Sequence, residues 1–135
     1  MNYSAALVGQ RLLSVEKRDY SWFFGLSEDV RVGTESSWRL LSQGRIIVTS
    51  EDDGHPFGLP EPVDAASRVL ATVSNRTVES AEIDASTGDL TVNFGGSTCL
   101  QFLQMSCGYE SWRLYAQGNE TICMGAGEIA HFVKR

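Results

Sequence analysis

Apolar and polar positions along this chain alternate with a period of two far more often than they recur with the 3.6-residue period of a helix. Leu12-Leu13-Ser14-Val15-Glu16 and Ser21-Trp22-Phe23-Phe24 are short runs rich in aromatic and β-branched residues, and Val30-Arg31-Val32 alternates. Arg45-Ile46-Ile47-Val48-Thr49 reads as a buried strand closed by the acidic turn Glu51-Asp52-Asp53-Gly54. These segments predict four strands joined by short polar links. Val78, Ile83, Leu90, Val92, Phe94, Leu100 and Phe102 carry the alternation of a half-solvated antiparallel sheet into the second half. Strands are predicted there over 77–85, 90–94, 98–105, 109–116, 121–124 and 129–133. Ser86 to Asp89, Gly95-Gly96, Gly118-Asn119 and Gly125 to Gly127 supply the turns.

Between the two sets lies His55-Pro56-Phe57-Gly58-Leu59-Pro60-Glu61-Pro62, which holds all three prolines of the chain. Proline removes a donor and fixes φ, so this stretch is excluded from a sheet interior and reads as a linker. After it, Val63 to Val73 predicts a helix with Asp64 as N-cap and Val63, Ala66, Leu70 and Val73 on one apolar face.

The halves share a pattern. Phe24-Gly25-Leu26-Ser27 before Val30 matches Phe94-Gly95-Gly96-Ser97 before Leu100 at an offset of 70. Ser37-Trp38-Arg39-Leu40, two residues and Gln43-Gly44 recur as Ser111-Trp112-Arg113-Leu114, two residues and Gln117-Gly118, at an offset of 74. Roughly four residues therefore separate the repeats between the hairpin and the tryptophan strand. The fold expected is mainly β with a minor helical part. Two duplicated antiparallel β-meanders, about 9–53 and 77–135, form one sandwich or half-barrel, and the linker with its short helix covers 54–75. One domain spans 1–135, with Trp38 and Trp112 in equivalent core positions and Arg39 and Arg113 pointing away from them.

Charge narrows the partners. With 11 basic against 17 acidic residues the chain carries a net −6, the wrong sign for clustered phosphate contacts. Nucleic acid is therefore not expected as a partner, and a basic protein is. No window approaches the roughly 18–20 apolar residues of a membrane span. The N-terminal apolar run, Ala5 to Val8, is too short for a secretory leader and lacks a preceding basic segment. Cys99, Cys107 and Cys123 have neither disulfide parity nor zinc spacing. A cytoplasmic protein is the expectation, in which the sequons at Asn75 and Asn119 have no role beyond turn chemistry.

Catalytic chemistry finds little to use. His55 and His131 are the only histidines, no Gly-x-Ser-x-Gly elbow is present, and the glycine pairs fall between strands rather than at a helix start. Glu51-Asp52-Asp53-Gly54 lacks the spacing of a calcium loop. Glu82 and Asp84 fall on the solvent side of one strand, and Cys99 and Cys123 read as small core residues. Neither enzyme, metal nor cofactor is expected. What remains is the acidic surface, with Glu28, Asp29, Glu51, Asp52, Asp53 and Glu61 as candidate partner-binding residues.

Gly9-Gln10-Arg11-Leu12, Tyr109-Glu110-Ser111-Trp112 and Gly125-Ala126-Gly127-Glu128 follow one another along the chain in a pattern that resembles a group of small bacterial proteins of uncharacterised activity. Members of that group sit beside polymorphic toxin genes of the Rhs and contact-dependent kinds and are read as immunity proteins. The resemblance implies cytoplasmic neutralisation of a cognate toxin domain by occluding its active site, without catalysis. The alternative is a small β-module that binds a peptide or small molecule in a pocket lined by Trp22, Phe23, Trp38 or Trp112.

Overall fold

A computed structural model of the chain describes residues 3–133. Eleven antiparallel strands build two sheets. The first half contributes β1 (Leu12–Arg18), β2 (Ser21–Leu26) and β3 (Val30–Thr34) to the first sheet, then crosses to the second with β4 (Trp38–Ser42) and β5 (Arg45–Thr49). The second half begins in the second sheet with β6 (Ser80–Ile83), β7 (Leu90–Asn93) and β8 (Thr98–Phe102). It crosses to the first with β9 (Trp112–Ala116), β10 (Asn119–Cys123) and β11 (Ile129–Phe132). Strand orders are β1-β2-β3-β9-β10-β11 and β5-β4-β8-β7-β6.

The architecture is the expected sandwich of two related halves, and the sheets do not close into a barrel. Each half, however, is divided between the sheets. A three-stranded meander stays in one sheet and the tryptophan hairpin passes to the other, so β9 pairs with β3 and β8 with β4. Buried Thr34 fixes the first crossing, its hydroxyl donating to Ser111 O (3.1 Å) and accepting from Ser36 N (3.0 Å). A backbone bridge between Arg11 and Thr77 ties the start of β1 to the approach of β6.

The repeated motif resolves into a hairpin. Tryptophan opens the strand, and Gln-Gly supplies the two left-handed residues of a type I′ turn: φ is 51° and 75° at Gln43-Gly44, and 53° and 81° at Gln117-Gly118. This places the second turn one residue before the Gly118-Asn119 expected from sequence. The tryptophan segment of the first half is β4, which joins the four strands read there from alternation.

Trp38 and Trp112 are fully buried. Trp22 and Phe24 from the facing sheet meet Trp38 edge-on at centroid distances of 5.0 and 5.2 Å, and Phe24 meets Phe102 in the same manner at 4.9 Å. The indole of Trp112 donates to Gly88 O at 2.8 Å, whereas that of Trp38 has no hydrogen-bond acceptor.

Helix α1 (Tyr3–Leu7) was not expected from the N-terminal apolar run. It buries Leu7 completely, and the Tyr3 hydroxyl accepts a hydrogen bond from Ile83 N of β6. Helix α2 (Ala65–Val73) starts where expected, with Asp64 accepting from Ser67 N. Val63 and Val73 of the expected face are buried, whereas Ala66 and Leu70 are only part-buried and Ala65 and Val69 complete the buried stripe. A straight helix laid against β1 buries positions four apart, and a three-four-three reading rotates that stripe by one residue. Among the described residues no helix is long and apolar enough to cross a membrane.

Two outcomes follow for chemical denaturation. Trp112→Ala is expected to destabilise the fold by about 3–5 kcal/mol. Trp112→Phe should cost roughly 1 kcal/mol more than Trp38→Phe, because only the former leaves a carbonyl without its donor. Separately, Asp64→Ala should lower stability by about 1 kcal/mol near neutral pH. The Ser67 backbone N–H, and then the Ser67 hydroxyl, hold the Asp64 carboxyl below its ordinary range, so its contribution is present above that range and fades as pH falls through the lowered value. Parallel melts of wild type and Asp64→Ala should therefore converge in acid.

Candidate protein-binding surface

One end of the sandwich gathers four connections: the β1–β2 turn, the link 35–37 between β3 and β4, the loop 103–111 between β8 and β9, and the chain leaving β5 at Ser50. Three adjoining depressions of about 270, 460 and 400 Å³ cross this end, and Glu35 borders all of them. Tyr20, Met105 and Tyr109 stand out of it with 87%, 69% and 81% of their surfaces exposed. Large aromatic and thioether side chains left this open on one face are the composition of an interface core rather than of an ordinary solvated surface.

Carboxylates surround them. Glu35 accepts only the Ser21 hydroxyl (3.2 Å) and Glu51 only the Ser37 hydroxyl (2.9 Å) as side-chain donors, and among the described residues neither has a Lys or Arg within ion-pair distance. Glu110 is balanced internally by Arg113 at 2.6 Å, which also reaches Glu120 at 3.2 Å.

The loop that presents Met105 and Tyr109 is preformed. Gln104 is its hub: its backbone N–H donates to Asp89 (2.8 Å), and its side-chain amide donates to Met124 O (2.6 Å) and Tyr109 O (3.0 Å). The Gln104 carbonyl accepts from Ser106 N, and the Ser106 hydroxyl accepts from Gly108 N and Tyr109 N. With its backbone satisfied in this way, the loop has little ordering entropy left to lose on binding.

The six residues expected from sequence do not share one surface. Glu51 belongs to the end just described. Glu28 and Asp29 form the β2–β3 turn at the opposite end of β2, a six-residue strand and so roughly 20 Å away. Asp52 and Asp53 are only part-exposed and hold local structure: Asp52 accepts from Thr49 N (2.9 Å), and Asp53 accepts from Ala65 N at the start of α2 (2.9 Å), with Lys17 at 3.9 Å. Glu61 is exposed in the proline-rich loop. Tyr20, Glu35, Met105, Tyr109 and Glu110 were missed by charge counting. The offset between the repeats marks part of the surface, since its increase from 70 to 74 falls in the longer loop 103–111.

Other chemistry is thinly furnished. His55 stacks on Phe57 at 5.6 Å, and His131 Nδ1 meets the Thr121 hydroxyl at 3.0 Å; neither forms a hydrogen bond with a cysteine or carboxylate. Among the described residues there is no group of three His, Cys, Asp or Glu that could hold a metal ion. Trp22, Trp38 and Trp112 are packed in the core, and an interior cavity beside Phe24 and Phe102 measures about 10 Å³, far below the several hundred Å³ of a small-molecule site. Phe23 instead faces outward over Gly33, where an added Cβ would meet its ring at 3.4 Å.

Residues 9–133 match the profile of DUF6188, a family of unknown function. No curated protein and no solved structure matches the chain.

The thiols provide a check on the geometry. Burial pushes the Cys123 and Cys99 thiols above their ordinary range, while Cys107 lies exposed in the 103–111 loop. Native protein treated with a thiol-specific reagent at neutral pH should label Cys107 first and Cys123 last, read by peptide mass mapping. Fast labelling of Cys123 would contradict this packing.

Proposed function

The chain belongs to this family of unknown function, and we propose that it is an immunity protein, a cytoplasmic binder that neutralises a cognate toxin domain by occluding its active site. One observation carries the reading: a preformed end surface on which Tyr20, Met105 and Tyr109 are exposed beside Glu35 and Glu51, neither of which has an ion-pair partner among the described residues. A toxin acting on nucleic acid or nucleotides lines its substrate channel with Lys and Arg. Glu35 and Glu51 would pair with such residues at the rim, speeding encounter and selecting the partner, while the aromatic and thioether side chains are desolvated at the centre. Covering the channel then excludes substrate without any chemical step by the inhibitor. The sequence resemblance to proteins found beside polymorphic toxin genes supports the same role.

Co-expression with the adjacent toxin should rescue growth, and the two proteins should co-elute on gel filtration. Tyr20→Ala combined with Tyr109→Ala should abolish rescue while leaving the melting temperature nearly unchanged, since both side chains are already in water. Glu28→Lys with Asp29→Lys, at the far end, should retain rescue. Absence of both rescue and complex for the unaltered chain would overturn the proposal.

A further inference from the structure

The proline-rich connector is not a slack tether. Gly54 N donates to Val63 O (2.8 Å) and Val63 N to His55 O (2.9 Å), closing a loop whose tip is a turn with Leu59 N donating to Pro56 O (2.7 Å). The central residues of that turn are Phe57 and Gly58, with φ of 44° and 76°. Of the nine non-glycine residues at positive φ among those described, Phe57 is the only aromatic; most of the others are short polar residues or glutamine at hairpin turns. A left-handed phenylalanine is strained relative to the Asn, Asp or Gly that such a turn favours.

Among the described residues the strain brings Phe57 little packing. Phe57 keeps 64% of its surface exposed and Leu59 keeps 52%, and the only ring against Phe57 is that of His55. Three prolines and the closed base prevent the tip from folding back onto the sandwich. Around this apolar tip, residues 51–64 hold Glu51, Asp52, Asp53, Glu61 and Asp64 and no Lys or Arg. The loop leaves the end of the sandwich that carries Tyr20 and Tyr109, because Glu51 borders the depression beside Tyr20.

We propose that Phe57 is the anchor of the interface, inserting into an apolar pocket of a folded protein partner whose mouth is edged with Lys and Arg. Glu51 and Glu61, the exposed carboxylates of this stretch that do not cap local backbone, pair with that edge, and the strained turn holds the ring outward before the partner arrives. This rests on the binding role proposed above and adds to it a specific contact and a specific partner chemistry.

The test compares Phe57→Gly and Phe57→Leu with the unaltered chain, by thermal melt and by calorimetric titration with the catalytically silenced toxin domain. Glycine accepts the left-handed turn, so Phe57→Gly should melt no lower than wild type, yet bind roughly thirty-fold more weakly. Phe57→Leu should keep most of the affinity. Wild-type affinity in Phe57→Gly, with binding lost in the Tyr20 and Tyr109 variant, overturns the anchor and leaves the binding role standing. A Phe57-dependent complex without rescue of growth removes the immunity role and keeps the anchor. If the unaltered chain forms no complex, both fall.

Discussion

Burial of the two motif tryptophans between the two sheets is the constraint on which this fold depends. Trp38 stands in β4 opposite Phe102 of β8 and meets Trp22 and Phe24 across the sandwich, while Trp112 stands in β9 opposite Thr34 of β3 and donates to Gly88 O. Each tryptophan strand pairs with a strand of the other half, β4 with β8 and β9 with β3. Strand exchange therefore builds each sheet from both halves.

A perfect repeat would present two equivalent ends. This chain breaks the equivalence in its connections: the link before β4 is three residues, 35–37, and that before β9 is nine, 103–111. The longer loop uses Gln104 and Ser106 to satisfy its own backbone and pushes Met105 and Tyr109 into solvent. The connector 54–63, which belongs to neither half, holds Phe57 outward in the same way. Loop residues outside the ladder are free of the alternation that the sheets impose, which lets Met105, Tyr109 and Phe57 stand in solvent.

The acidic residues named from charge have divided roles in the structure. Glu51, Asp52 and Asp53 are consecutive, yet Glu51 faces the end surface while Asp52 caps a turn and Asp53 caps a helix. A carboxylate beside unpaired backbone N–H groups is drawn into local hydrogen bonds before it is available to a partner. Glu28 and Asp29 adopt the left-handed pair of a tight hairpin, and the length of β2 separates them from the others. Of the four aromatics named for a ligand pocket, Trp22, Trp38 and Trp112 are buried in the sandwich, while Phe23 lines an outer depression.

Local physics, which the sequence carries by itself, determined the strands, the Asp64 cap, the duplication and the burial of Trp38 and Trp112. Period-two alternation, capping chemistry and left-handed turn residues each act within a few positions. Tertiary structure alone decided that each hairpin crosses to the other sheet, that α2 turns its Ala65–Val69–Val73 stripe inward, and that Tyr20, Glu35, Met105 and Tyr109 meet at one end. Those outcomes depend on which distant segments bury each other, and hydrophobic burial is non-directional, so no local pattern records them.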